Sequence, residues 1–267
     1  MLIVCNGMFR SGSTLQYNLV RSLVEKMHLG EGKGWFPWEQ LPEMETQFRQ
    51  WGEDQRFYII KSHALLPYSA EWQASGLLKI CYTYRDVRDI AVSIKRKFKQ
   101  EGKELYRLLN KSTKNYFQLQ EIEGAIAQKY EDMIKDLPGE IRRLAQGLGQ
   151  SPSEQLVLEI ANQWSLDNTR KTISKFCRQS QQKKEIHHFL QELKIDKITT
   201  KTIQSFNPNF TWNNRYQHDD RSILHPDHIS SKGGEIGGWK TQLQPDEIQT
   251  INTRYHSYLV KAGYIEQ

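Results

Sequence analysis

Residues Gly7–Thr14 read Gly-Met-Phe-Arg-Ser-Gly-Ser-Thr, and they follow an apolar run at Leu2–Cys5. The apolar run predicts a buried first strand, and the glycines and hydroxyls after it predict a turn into a helix. Glycine lets the backbone approach a ligand closely, and the N–H groups at the start of a helix attract negative charge. This stretch therefore predicts a binding site for phosphate or a similar tetrahedral anion.

The cation of this turn separates it from the ATP-binding P-loop. In that loop a Lys stands between the second Gly and the Ser or Thr, whereas Ser13 has that position here and Arg10 stands earlier. A kinase also needs an acidic residue directed at Mg²⁺. The pattern argues against an ordinary kinase or ATPase. Two alternatives nevertheless stay open beside a transferase that is not a kinase. They are a P-loop nucleotide or small-molecule kinase and a non-catalytic nucleotide-binding module.

Strand-like runs alternate with helical patterns along the chain. This alternation predicts a single α/β domain over residues 1–267, with a central, mainly parallel sheet flanked by helices and a P-loop-like nucleotide-binding fold. The predicted strands are Leu2–Cys5, Phe57–Ile60, Leu77–Tyr84 and Ala125–Tyr130. The predicted helices include Gly12–Met27, one that begins near Asp86, and a final helix at Pro245–Ala262. The stretch Ser205–Gly238 predicts a long loop.

The stretch Leu29–Gly52 is predicted to be a loop because its aromatic residues lie among Gly and Pro. Two interpretations of these aromatic residues stay open. They can line an acceptor pocket or pin a long connection to the core, since aromatic side chains serve both purposes. They are Trp35, Phe36, Trp38 and Trp51.

The chain carries a formal net charge of +6 and three cysteines. The charge suits an anionic ligand, but the aromatic residues cluster instead of alternating with basic ones, which argues against a nucleic-acid binder. The cysteines Cys5, Cys81 and Cys177 are far apart, which favours reduced buried thiols, and no metal site is predicted. No run has the length and flanks of a membrane span or a secretory signal, so we expect a soluble, cytoplasmic protein.

Three further clusters complete the predicted site. Lys61 and His63 follow the second predicted strand, so both side chains can project from the carboxyl edge of the sheet, where open α/β sheets bind ligands. Arg85 follows the third predicted strand, and Ser93 lies two turns into the next helix. Ser231–Lys240 is a glycine-rich basic loop whose backbone can close over another phosphate.

In this order the segments resemble the cytosolic sulfotransferase family, and the resemblance covers essentially the whole chain. Arg10–Leu15 is similar to the family's Lys-Ser-Gly-Thr-Thr-Trp, and Lys61–Leu65 is similar to its Lys-Thr-His-Leu-Pro. Tyr130–Met133 matches its Tyr-Glu-Asp-Met, and Lys232–Lys240 resembles its Arg-Lys-Gly-x-x-Gly-Asp-Trp-Lys. Arg85 also stands eight residues before a Ser, which is the spacing of the family's 3′-phosphate signature.

The resemblance implies an enzyme that moves a sulfuryl group from 3′-phosphoadenosine 5′-phosphosulfate (PAPS) to a hydroxyl or amine of a small-molecule acceptor and releases 3′,5′-adenosine bisphosphate. It implies catalytic roles for His63, Lys61 and Arg10, with His63 as the base. The residues implied to bind the cofactor are Arg10, Ser11, Gly12, Ser13, Thr14, Arg85, Ser93, Tyr130, Lys232, Gly233 and Gly234.

The residues themselves allow this chemistry without a metal. Sulfuryl transfer, like phosphoryl transfer, depends on positioning and on neutralising charged oxygens. A neutral His63 near its ordinary pKa, moved lower by neighbouring cations, can accept the acceptor's proton. Lys61 and Arg10 can place positive charge on the oxygens of the transferred group.

Three departures from the family pattern are visible. Leu15 stands where the family has the Trp that stacks on adenine, which leaves adenine to another aromatic residue, Trp164 or Tyr130. Arg10 replaces a Lys, and a planar guanidinium binds oxyanions differently from an ammonium. Lys232 and Gly233 stand where the family has Arg and Lys. The acceptor stays open among alcohols, phenols, amines, sugars and lipid head groups, as does association of the chain with itself.

Overall fold

The computed structural model describes residues 1–175, 221–224, 229 and 234–266. The chain divides into two compact units, of which the first is Met1–Ala161 with Glu235–Gln267 and the second is Asn162–Gly234. The single domain over residues 1–267 stays a prediction. Most of the predicted loop Ser205–Gly238 and the cysteine Cys177 lie outside the described residues.

A five-stranded sheet forms the centre of the first unit, and its strands lie in the order β2-β3-β1-β4-β5. All neighbouring strands run parallel, which confirms the predicted α/β class with a mainly parallel sheet. The strands are β1 Leu2–Gly7, β2 Gly30–Trp35, β3 Phe57–Lys61, β4 Leu78–Tyr84 and β5 Ile126–Lys129.

The pairing register brings the site residues to one edge. Cys5 of β1 lies opposite Lys61 of β3 on one side and opposite Cys81 of β4 on the other. Gly7 lies opposite Thr83. The carboxyl ends of these three strands are therefore level, and the residues that follow each strand meet there. Cys5 and Cys81 are buried free thiols, as predicted.

Helices connect the strands. Asp86 caps the fourth helix because its carboxylate accepts the backbone N–H of Arg88 at 2.9 Å. The helices of residues 1–163 are α1 Ser13–Lys26, α2 Glu45–Glu53, α3 Ser69–Ala74, α4 Val87–Phe98, α5 Gly102–Gln120, α6 Tyr130–Lys135, α7 Leu137–Gly147 and α8 Glu154–Gln163. Residues 166–175 are also helical. The last part of the chain holds α9 Trp239–Gln242, α10 Pro245–Arg254 and α11 His256–Lys261.

The predicted loop at Leu29–Gly52 was wrong, because this stretch contains strand β2 and helix α2. The glycines of β2 replace the β-branched and aromatic residues by which a strand is predicted from sequence. Close contacts with neighbouring residues require glycine at these positions. A Cβ at Gly30 would lie 1.9 Å from the Phe57 carbonyl oxygen, and one at Gly32 would lie 2.7 Å from the Tyr17 hydroxyl. β2 is an edge strand with a register shift between Gly32 and Gly34, where irregular pairing is common.

The aromatic residues of this stretch divide between the two interpretations. Phe36 and Trp51 pack with the buried Phe48 of α2, with ring centroids 5.3 and 5.7 Å from the Phe48 ring. These two therefore pin the connection to the core. Trp38 is exposed, and Trp35, at the end of β2, lies beside the ring of His63.

The predicted final helix Pro245–Ala262 is two helices that meet at Tyr255. Tyr255 leaves the helical conformation at φ −114° and ψ 22°. Its hydroxyl donates to the side chain of Asn110 at 2.8 Å, which ties the junction of the two helices to α5. In the described part of the chain, no helix combines the length and hydrophobicity needed to cross a membrane.

Candidate active site

The turn from β1 to α1 has the backbone of an anion site. Arg10 and Gly12 adopt positive φ angles of 61° and 86°. A Cβ at Gly12 would lie 2.9 Å from the Tyr130 ring, so both the conformation and the space require glycine. The first turn of α1 contains no acidic residue, and no side chain caps its start. The N–H groups there keep their attraction for an anion.

The hydroxyls of this turn have different surroundings. Ser11 is fully buried, and its hydroxyl lies 2.7 Å from both the Met8 carbonyl and the Thr83 hydroxyl. The side chain of Ser11 therefore joins the turn to β4, and its backbone N–H donates to the Met8 carbonyl at 3.3 Å, so Ser11 shapes the turn from within. Ser13 and Thr14, the first residues of α1, are also buried.

Arg10 links this turn to helix α4. Its Nε donates to the hydroxyl of Ser93 at 2.9 Å. Arg85 donates from Nη1 to the backbone carbonyl of Arg10 at 3.3 Å. The structure thus brings together three residues that the sequence placed in two separate anion-binding motifs.

Arg85 also contacts the middle of the glycine-rich loop Ser231–Lys240. Its Nη2 donates to the Glu235 carbonyl at 2.6 Å, and its guanidinium lies 4.2 Å from the centre of the Tyr130 ring. Tyr130 is only 8% exposed, and Arg85 already covers one face of its ring. Of the predicted loop residues, Lys232 and Gly233 lie outside the described residues, and Gly234, at φ 73°, ends the second unit. Trp164 also belongs to that unit.

Asp89 anchors the same loop, although none of the sequence motifs pointed to this residue. Its two carboxylate oxygens accept the backbone N–H groups of Gly237 at 2.8 Å and of Trp239 at 3.1 Å. The carboxylate also lies 3.7 Å from Arg85. Burial raises the pKa of Asp89, while Arg85 and the two N–H donors act in the opposite direction. Its position one helical turn after Arg85 is the signal that could have revealed it.

Lys61 and His63 meet at the carboxyl end of β3, as their spacing predicted. The Lys61 ammonium lies 3.3 Å from Nε2 of His63, and Nδ1 of His63 lies 2.9 Å from the Gly7 carbonyl oxygen. Because a carbonyl oxygen only accepts, Nδ1 carries the hydrogen and Nε2 keeps its lone pair. Asn115 of α5 donates to the His63 carbonyl at 3.1 Å and holds this backbone in place.

Both side chains have strongly lowered pKa values. Burial, followed by the charge of Lys61, lowers the pKa of His63 to about 3. The expectation of a nearly ordinary pKa was therefore wrong, although the direction of the shift was as predicted. Burial lowers the pKa of Lys61 to about 7, with Lys97 and Arg10 adding repulsion. Within the described residues, no carboxylate lies at ion-pair distance from Lys61.

These features define a class of protein. A parallel sheet with a phosphate-binding turn after its central strand is typical of nucleotide-binding α/β proteins. The histidine and the buried lysine beside that turn add groups suited to proton transfer and to the binding of charged oxygens. Among the residues that the structure describes, no group of His, Cys, Asp and Glu side chains is arranged to hold a metal.

Comparison with known families narrows this class. Residues 2–210 match the sulfotransferase domain family, and the chain therefore belongs to that family. The family assignment confirms the prediction of a PAPS-dependent sulfotransferase. A kinase and a non-catalytic module are thereby set aside.

Solved structures share the fold. Retinol dehydratase in a complex with retinol and PAP is 16% identical, with a TM-score of 0.55 over 97% of this chain and 81% of that chain. Retinol dehydratase in a complex with androsterone and inactive cofactor PAP is 15% identical, with a TM-score of 0.54 over 97% of this chain and 80% of that chain. Mouse sulfotransferase SULT7A1 complexed with PAP is 13% identical, with a TM-score of 0.52 over 97% of this chain and 84% of that chain. Curated protein sequences give no match.

Proposed function

We propose that this sulfotransferase sulfates a hydroxyl or amine of a small-molecule acceptor, with His63 as the general base. One observation carries the proposal: His63 contacts the phosphate-binding turn through Nδ1 at 2.9 Å and faces Lys61 through Nε2 at 3.3 Å. A proton acceptor and a buried cation therefore lie together beside the place where an anion binds.

The residues present fit the donor. A buried ammonium without a carboxylate partner is costly unless a ligand supplies the counter-charge, and Lys61 is 4% exposed. When bound, PAPS supplies a sulfuryl group that its bond to phosphate has already activated. We assign the 5′-phosphosulfate to Lys61 and the turn Arg10–Thr14, and the 3′-phosphate to Arg85 and Ser93. Roles for Tyr130 and for Lys232, Gly233 and Gly234 in holding the nucleotide remain predictions.

His63 performs the proton transfer. With Nδ1–H committed to the Gly7 carbonyl, Nε2 is the nitrogen that accepts the acceptor's proton. The acceptor hydroxyl then replaces the Lys61 ammonium as the partner of Nε2, and Lys61 turns to the donor oxygens. A pKa of about 3 keeps this imidazole neutral in the ligand-free protein. Negative charge on a bound donor favours the protonated form and so raises that pKa toward the range useful for catalysis. Lys61 and Arg10 stabilise charge on the oxygens of the transferred group.

The acceptor side of the site supports a small organic molecule. His63 is half-buried, and its ring lies 5.4 Å from the ring of Trp35, which is 39% exposed. The retinol dehydratase structures contain retinol and androsterone, which are small apolar molecules. A cytoplasmic location and association of the chain with itself stay predictions.

A product screen tests this function. The purified chain is incubated with PAPS and a mixture of hydroxyl and amine compounds, and mass spectrometry detects each compound that gains one SO₃ group. ATP in place of PAPS is the matched control. We expect sulfated products with PAPS only. Phosphorylated products with ATP, or tight PAPS binding without any sulfated product, would contradict the proposal.

A further inference from the structure

Two aromatic rings contact the ring of His63. The Phe9 ring lies 4.9 Å from the His63 ring at an interplanar angle of 38°, and the Trp35 ring lies 5.4 Å away at 61°. Phe9 and His63 are both partly accessible. The Lys61 ammonium lies 4.7 Å from the centre of the Trp35 ring, and Trp35 is 39% exposed. Exposed aromatic surface beside the general base favours an acceptor that is itself apolar or aromatic.

A lysine of α5 lies near these rings and has no role in the proposed donor site. The Lys111 ammonium lies 5.9 Å from the centre of the Phe9 ring, and its charge acts on His63. Lys111 is exposed, and no carboxylate in the described part of the chain lies at ion-pair distance from it. It is a surplus positive charge on the acceptor side.

The turn of α5 that carries Lys111 is held by two hydrogen bonds. The backbone N–H of Phe9 donates to the Ser112 hydroxyl at 3.3 Å. The Asn115 amide donates to the His63 carbonyl at 3.1 Å. These two bonds hold α5 against Phe9 and His63, so the backbone of Lys111 keeps a fixed place relative to both residues.

We propose that the acceptor is an aromatic hydroxyl compound that also carries an acidic group. Its ring packs against Phe9 and Trp35, its hydroxyl faces Nε2 of His63, and its carboxylate or similar anion pairs with Lys111. This inference rests on the proposed function. In the transfer, the acceptor's proton passes to Nε2, its oxygen forms the new bond to sulfur, and the bridging oxygen of the donor keeps the electron pair of the broken S–O bond and leaves with the nucleotide.

Matched acceptor pairs test the inference. Each positional isomer of hydroxyphenylacetate is compared with its methyl ester, which keeps the phenol and removes the charge. We expect the parent enzyme to prefer the acid of at least one isomer by about two- to fivefold in kcat/KM, because an ion pair with an exposed lysine contributes on that scale. Added salt is expected to reduce the preference, since it screens exposed charges.

Variants on α5 identify the residue responsible. Lys111→Gln is expected to bring the kcat/KM of the acid down to that of the ester, and Lys111→Glu to reverse the preference. Lys103→Gln is the matched control, because this exposed lysine lies eight residues earlier on the same helix, about 12 Å along its axis. It is expected to keep the parental preference.

Two results would overturn the inference while leaving the proposed function intact. One is a parent enzyme that sulfates the esters as well as or better than the acids. The other is an acid preference that Lys111→Gln leaves unchanged. If neither form of any isomer is sulfated, the acceptor class is wrong, and the broader product screen then decides whether the proposed function survives.

Discussion

Binding of the product 3′,5′-adenosine bisphosphate is expected to take up a proton at pH 8, and Lys61 is the group that receives it. Burial lowers the pKa of Lys61 from 10.5 to about 7. Phosphate beside the ammonium favours the charged form and raises the pKa again. Lys61 therefore has a higher pKa in the complex than in the free protein, so nucleotide binding takes up protons. Nucleotide affinity must then increase as the pH falls from the ordinary lysine pKa toward neutrality.

The size of the uptake follows from these pKa values. A group with a pKa of about 7 is roughly one tenth protonated at pH 8, and a lysine near its ordinary pKa is almost fully protonated there. A complete return to the ordinary value therefore gives an uptake of about 0.9 proton per nucleotide. The phosphates add little, because a phosphate monoester has a second pKa of about 6 and is already deprotonated. His63, with a pKa of about 3, starts neutral.

Titration calorimetry in buffers with different ionisation enthalpies measures the uptake. The number of protons taken up is the slope of the observed binding enthalpy plotted against the ionisation enthalpy of the buffer. We expect a slope near 0.9 for the parent, estimated from the ordinary lysine pKa, and a slope near zero for Lys61→Met. Lys103→Met, which changes an exposed lysine, is expected to behave like the parent. A parent slope near zero would contradict proton uptake by Lys61. Lys61 would then be charged before the nucleotide binds, or it would lie far from the phosphates.

Three further predictions concern the rest of the site. Arg85→Ala is expected to weaken nucleotide binding by about 1.5–3 kcal/mol, the range for a charge-assisted hydrogen bond; affinity within about twofold of the parent in calorimetry would show that Arg85 is not a phosphate ligand. Asp89→Asn leaves one carbonyl oxygen for the two backbone N–H groups that the carboxylate now accepts. Nucleotide affinity is expected to fall roughly tenfold while kcat at saturation stays near parental, and a loss of kcat alone would contradict the anchoring role. Turnover is expected to survive EDTA, because Arg10 and Lys61 supply the positive charge that a metal supplies in kinases; loss of activity that Mg²⁺ restores would contradict this.

Local sequence patterns were sufficient for the parts of the site that depend on one strand end. The spacing of Lys61 and His63 predicted that both project from the same edge, and the structure places them 3.3 Å apart. The glycines after the first strand predicted a close turn into a helix that starts near Gly12, and helix α1 begins at Ser13 with Gly12 at a φ of 86°. Both predictions depend only on local geometry and on the alternation of side chains along a strand.

Contacts between distant segments could not be predicted in this way. Arg10 binds Ser93, 83 residues away, and Asp89 binds the backbone of Gly237, 148 residues away. Burial, which determines the pKa of His63, also depends on residues far along the chain. Strand β2 was missed because its glycines, which the close approach of Phe57 and Tyr17 requires, remove the β-branched and aromatic pattern of a strand.

The role of His63 as general base is tested by measuring sulfuryl transfer by the His63→Ala variant. Turnover is measured as sulfated product from PAPS and a competent acceptor, and nucleotide affinity is measured on the same preparation. His256→Ala, which changes an exposed histidine of α11, is the matched control. We predict that His63→Ala lowers kcat by roughly 10²–10⁴, with a nearly unchanged nucleotide dissociation constant and thermal unfolding, and that His256→Ala behaves like the parent. Near-parental turnover by His63→Ala, or loss of nucleotide binding with the fold intact, would contradict the role of His63 as general base.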